Sequence, residues 1–246
     1  MDSKTCLNCN HPANGHFCPN CGQSTKVHRI TFVETIDDFL SSTFALQGPL
    51  MHTIWMLIVS PGKMLREFLD GKRKAYYKPV SFFVLMTVIY LLIRELIDYD
   101  PLAGQQYEGM ENYPERVRQS QMAAQWMVTH INNVMLILVF SIALVQKILF
   151  PRKYNLAEYL SIGFYISGIY TLVGLLMMLV IHYVFRFPGQ VQLFFLILYI
   201  FYVAYSFHRK HTFFHILRYA LSAIIGVVLY ILLGFGLSYF VVVYWK

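Results

Sequence analysis

Charge is what this chain has least of: lysine, arginine, aspartate and glutamate together make up 13% of its 246 residues, against 57% hydrophobic and 17% aromatic. A soluble globule of that size needs far more polar surface. The positive mean hydropathy of +0.50 agrees, so an integral membrane class is expected. Cysteine is missing beyond residue 21, which excludes a disulfide framework for the rest of the chain. The first 29 residues lack the apolar central region of a cleavable signal, so the first membrane span is expected to act as the insertion signal. Catalytic patterns are missing too: no serine-centred nucleophile elbow, no His-Glu-x-x-His pair, no phosphate-cradling glycine loop and no acidic metal-binding run. The net charge of +7 could point to nucleic acid, but the cations gather beside apolar runs instead of striping a soluble domain. Nucleic acid is therefore not the expected partner.

What is present begins with the cysteines. Residues 6 to 22 read Cys6-Leu7-Asn8-Cys9, eight residues, then Cys18-Pro19-Asn20-Cys21-Gly22, in a segment with almost no apolar content. Such a segment cannot fold by burying a core. Thiolates from each pair can occupy two corners of one tetrahedron, and a divalent zinc ion then supplies the folding free energy, roughly 10 to 16 kcal/mol in peptides. Gly22 and the Asn14-Gly15 turn suit knuckles whose amides point at sulfur. A structural Zn2+ held by Cys6, Cys9, Cys18 and Cys21 is the expectation. Two disulfides are the alternative, requiring an oxidising compartment, and iron in the same thiolates is another. His11 and His16 are spare, because four cysteines close the shell, and a closed shell leaves no open position for metal catalysis.

Residues 30–79 form a second unit. Ile30 to Gln47 opens with Thr31 and Glu34 at capping-box spacing and repeats Phe32, Val33, Ile36, Phe39 and Leu40 along one helical face. Leu50 to Val59 is apolar but too short to span. Pro61 to Asp70 sets Met64, Leu65, Phe68 and Leu69 on one side, with Gly71 as a stop. These helices either lie in the cytoplasmic interface or pack on the membrane helices. The segment closes on Gly71 to Pro79, where Lys72, Arg73, Lys74 and Lys78 stand beside Tyr76 and Tyr77, a composition suited to lipid headgroups.

Residues 80–246 are expected to form an all-α bundle with five spans, at about 80–97, 126–149, 159–185, 191–207 and 216–244. Arg94 and Glu95 interrupt the far end of the first, the arginine being expected to snorkel towards headgroups. Nine cations precede the first span (Lys4, Lys26, Arg29, Lys63, Arg66, Lys72, Arg73, Lys74, Lys78), three lie in the second connection (Lys147, Arg152, Lys153) and three in the fourth (Arg209, Lys210, Arg218). The long connection from Asp98 to Gln125 holds only Arg116 and Arg118, among five carboxylates. The positive-inside rule then puts the N-terminus in the cytoplasm and the C-terminus outside. A reducing cytoplasm again favours zinc over disulfides.

Intramembrane polar residues are few: His130, Asn132, Asn133, Gln146 and His182, all near expected interfaces and suited to interhelical hydrogen bonds. No span carries the mid-membrane carboxylate of an ion-coupled pump. His208, His211 and His215 would share a face if the fourth connection were helical. Gly163, Gly168 and Gly174, and Ser222 with Gly226, permit close helix contacts.

The order Cys6-x-Asn8-Cys9, Cys18-Pro19-x-Cys21-Gly22-Gln23, Thr53, Ser60-Pro61-Gly62, Leu69-x-Gly71-Lys72-Arg73 and Tyr77-x-Pro79 resembles a family of uncharacterised bacterial multi-span membrane proteins with an N-terminal zinc ribbon. The resemblance implies a bacterial inner-membrane location and a metal-binding head, and supplies no activity. The leading expectation is a non-enzymatic interaction or regulatory protein whose ribbon, residues 1–29, meets a protein partner. Its bundle meets membrane lipid and can form a homo-oligomer. A small-solute or lipid transporter is the alternative, with the ribbon as gate or assembly element. A membrane-embedded enzyme using the acidic connection is third.

Overall fold

Backbone groups withdrawn from water must be satisfied within the chain, and among the described residues the long apolar runs resolve into α-helix. The computed structural model describes residues 5–25, 31, 49–102, 113–184, 190–210 and 212–245. Among these lie eight α-helices and no strand: α1 Pro49–Val59, α2 Pro61–Leu69, α3 Pro79–Leu96, α4 Glu115–Thr129, α5 Ile131–Leu149, α6 Leu156–Tyr183, α7 Gln190–His208 and α8 Phe213–Tyr244. The helix expected over Ile30 to Gln47 lies outside the described residues except for Thr31. Four helices, α3, α6, α7 and α8, are long and apolar enough to cross a membrane. The bent pair α4 and α5 makes a fifth if taken as one span.

The central helix is α6, with 56% of its most apolar window buried against 28 to 33% in the other three. A capping box starts it: Asn155 Oδ1 accepts from the Glu158 amide at 2.8 Å, and Glu158 Oε2 accepts from the Asn155 amide at 2.6 Å. Small residues then admit its neighbours. A Cβ on Gly163 would lie 2.8 Å from the Val139 carbonyl oxygen of α5, and one on Gly168 2.5 Å from the Phe82 ring of α3. In α8, Ser222, Gly226, Tyr230, Gly234 and Ser238 recur at every fourth position and are buried, forming a seam of mostly small residues on the packed face. At 32 residues α8 is about 48 Å long and outruns a hydrocarbon core of about 30 Å. The polar helix α4 covers part of it, with Gln119 Oε1 accepting from the Tyr239 hydroxyl at 3.2 Å.

The span expected as one helix over 126–149 is divided at His130. The axes of Glu115–Thr129 and Val134–Leu149 differ by 88°. Neither proline nor glycine marks the break; side chains bond backbone carbonyls at the end of α4 instead, and the Trp126 carbonyl also accepts from the His130 amide at 2.9 Å. Thr129 Oγ1 donates to the carbonyls of Gln125 and Trp126 at 3.0 and 3.1 Å, and the His130 ring stacks on Trp126 at 4.4 Å. Arg94 reaches across from α3 and donates to the Thr129 carbonyl at 3.1 Å. It caps a helix end.

Candidate metal centre and its anchor on the bundle

Residues 6–11 and 18–23 fold into the same knuckle twelve positions apart. The Cys6 amide donates to the His11 carbonyl at 2.9 Å and the Asn10 amide to the Cys6 carbonyl at 2.8 Å. Cys18 with Gln23 and Gly22 with Cys18 repeat both bonds at 2.8 Å. Asn10 and Gly22 occupy the left-handed region at φ of 58° and 69°, the conformation that turns the chain after each second cysteine. Isolated bridges flank the knuckles, Thr5 with Pro12 and Phe17 with Ser24.

This duplication brings the four thiols to one point. Cys6 Sγ lies 3.6 Å from Cys21 Sγ and Cys9 Sγ 3.6 Å from Cys18 Sγ, and all four sulfurs fall within 4.8 Å of one another. Tetrahedral zinc with Zn–S near 2.3 Å requires sulfurs about 3.8 Å apart, so the donor set can hold a metal ion. Hydrogen bonds across the knuckles shift individual thiols in opposite directions. Burial resists ionisation at Cys21, yet the Gln23 amide, the Asn8 side chain and the neighbouring thiols bring that thiol down to about 6. Cys9 is lowered by the His11 amide and by Asn20. At Cys18 the Cys21 amide pulls downward, but burial and hydrogen bonds to Cys9 and Cys21 leave it raised to about 11. Each knuckle thus lends an asparagine to the other's thiolate.

Among the described residues, the second knuckle bonds the loop between α2 and α3. Gln23 is 6% exposed; its Nε2 donates to the Gly71 carbonyl at 2.6 Å, and its Oε1 accepts from the Lys74 amide at 3.1 Å. The receiving loop is itself fixed: the amides of Gly71, Lys72 and Arg73 donate to the carbonyls of Phe68, Glu67 and Gly71 at 3.2, 2.9 and 2.9 Å. Glu67 accepts from the Tyr76 hydroxyl at 2.5 Å and pairs with Lys72 at 3.2 Å. These contacts, the tyrosine bond first, lower the carboxyl from its ordinary value. Both backbone groups of Tyr77 are held, its amide by Thr53 Oγ1 at 2.8 Å and its carbonyl by the Tyr165 hydroxyl of α6 at 2.5 Å.

Helices α1 and α2 lock this loop to the bundle by exchanging caps with α7. Tyr199 and Tyr202 of α7 donate to the carbonyls of Leu57 and Val59 at the end of α1, at 3.1 and 2.7 Å. In return Arg66 of α2 donates to the carbonyls of Ser206 and Phe207 at the end of α7, at 2.5 and 2.8 Å. Gly62 is required for the approach, since a Cβ there would sit 2.1 Å from the Ser206 carbonyl carbon. Leu57, Met64 and Leu65 are buried beneath, so α1 and α2 pack on the bundle. Met51, Trp55 and Ile58 leave α1 a second, exposed apolar face.

The other expected residues divide. Of the junction cations, Lys72 is committed to Glu67, Arg73 and Lys78 are half-buried, and Lys74 is exposed. Gln146 donates to Ser222 Oγ at 3.3 Å between α5 and α8, and the His182 ring meets Tyr99 at 6.5 Å. The side chains of Asn132 and Asn133, and His211, lie outside the described residues. His208 ends α7 against the Phe150 and Tyr219 rings, whereas His215 bonds Thr212 Oγ1 at the start of α8, so the fourth connection gives them no common helical face. A cavity of about 10 Å³ lined by Thr87, Tyr90, Thr171 and Gln192 has room for about one water. Sequence reasoning assigns no role to Gln23, Tyr165 or Ser206, and counts Arg66 only among the orienting cations. Gln23 stood in a motif without being a ligand, and that was its one signal.

A family model described as a protein of unknown function (DUF3667) matches residues 48–91. That stretch holds Thr53, Gly62, Arg66, the 71–74 loop and Tyr77, and ends before α3 does. No curated protein and no solved structure matches the chain.

Proposed function

We propose that the chain is a non-enzymatic protein of a bacterial inner membrane, with a cytoplasmic zinc ribbon that serves as an interaction or regulatory module for a protein partner. The observation that carries this reading is the convergence of four thiols on a head tied by Gln23 to the bundle. A closed thiolate shell suits a structural metal, and a shaped head exposing Leu7 and Phe17 suits protein contact. Orientation rests on the cations of α2, the 71–78 loop and the connections after α5 and α7, which gather at the end where the head docks. In that reading Lys74 and its neighbours face anionic headgroups, and the C-terminus lies outside.

The test is elemental analysis of the purified full chain together with co-purification from native membranes. About one zinc per chain, and a partner that Cys9→Ser loses, is the expected result. A metal-free chain, or a partner set unchanged by that substitution, would overturn the reading.

A further inference from the structure

The contact between head and bundle passes through the metal-binding fold itself. Gln23 follows Cys21 by two residues, and its carbonyl is the acceptor that closes the second knuckle onto the Cys18 amide. Its side chain holds both a donor and an acceptor of the 71–74 loop. A knuckle with few apolar residues keeps its shape only while its thiolates are gathered. When they disperse, the Gln23 backbone is released, and the two bonds to Gly71 and Lys74 have nothing to aim them.

We infer that metal occupancy of the four thiolates controls docking of the head on the Gly71–Lys74 loop, with Gln23 as the coupling residue. This rests on the metal-binding reading of the head. Loss of metal then removes the two bonds that the head contributes to this basic loop, one at the Gly71 carbonyl and one at the Lys74 amide. His11, the equivalent residue of the first knuckle, is exposed, and its ring bonds the adjacent Pro12 carbonyl at 2.8 Å, not the 71–74 loop.

Limited trypsin digestion of the full chain in lipid nanodiscs tests this, because Lys72, Arg73 and Lys74 are cleavage sites and a protease requires a locally opened chain. Fragments are mapped by mass, and zinc is measured on the same samples. The zinc-loaded chain is expected to be cut after these residues at least about tenfold more slowly than the chain stripped by chelator, and re-addition of zinc restores protection. Gln23→Ala should keep its zinc and still be cut about as fast as the stripped chain, whereas His11→Ala should stay protected. Should Gln23→Ala lose its zinc, Gln23→Glu, which keeps the acceptor for Lys74 but not the donor to Gly71, replaces it. Equal cleavage with and without zinc, or protection in a zinc-loaded Gln23 variant, overturns the inference. A chain that binds no zinc overturns both this and the reading beneath it, and the metal assay reveals that before protease is added.

Discussion

The two knuckles share a backbone fold and part in what their sixth side chain does. Cys6 to His11 and Cys18 to Gln23 make the same pair of hydrogen bonds and the same left-handed turn, yet His11 stands in solvent and Gln23 is buried against the 71–74 loop. The difference separates two tasks. Gathering four thiols needs both knuckles equally, whereas among the described residues the bonds to the 71–74 loop come from one. A duplicated knuckle can thus carry an asymmetric contact without compromising the gathered thiols.

The comparison breaks most completely at the cysteines. Cys9→Ser and Cys18→Ser should have the same large effect, loss of most of the roughly 10 to 16 kcal/mol that a structural zinc supplies. Metal titration checks this, and a knuckle that tolerates the loss would show that the two are not equivalent. Next comes exchange of the sixth residues. Gln23→His should weaken docking by about 1 to 3 kcal/mol, since the Lys74 amide and Gly71 carbonyl lose their partners, while His11→Gln should change stability by less than about 0.5 kcal/mol. Protease protection of the two variants reads the contrast.

On the receiving side, Thr53→Val keeps shape but leaves the Tyr77 amide without its acceptor, at a cost of about 1 to 2 kcal/mol, measurable as a lower unfolding temperature of the full chain. The smallest effect is electrostatic. Glu67 has a lowered pKa, so its contribution is present above the ordinary carboxylate value near 4.3 and is lost as pH falls through the lowered one. Tyr76 has a raised pKa, chiefly through burial and then through Glu67, so its share is present below about 10 and lost as pH rises beyond that. The Glu67 side chain is 25% exposed, which keeps the acid effect below about 1 kcal/mol. Glu67→Gln should flatten the acid limb of a stability profile without altering zinc content.

Legibility in the sequence followed the range of the interaction. Cysteine spacing is local and tightly restrictive, and the structure brings Cys6, Cys9, Cys18 and Cys21 within 4.8 Å, as the spacing predicts. Apolar length is also local, so α3, α6, α7 and α8 stand within a few residues of their expected limits. What escaped was long-range or a matter of competition. Hydropathy averages over a window and passes smoothly across Thr129 and His130, where hydrogen bonds to individual carbonyls and Arg94 from another helix accompany a turn of 88°. Arg66 reads as a cation on an amphipathic helix, and only the fold places the end of α7 within its reach. Gln23 lies 48 residues from Gly71, and no periodicity connects them.

The central claim is that the four cysteines hold one metal ion that keeps the head folded. X-ray absorption on the purified full chain, with elemental analysis of the same sample, addresses it most directly. The account predicts about one zinc per chain surrounded by four sulfurs at about 2.3 Å. A chain without metal, or with its cysteines paired as disulfides, would contradict it.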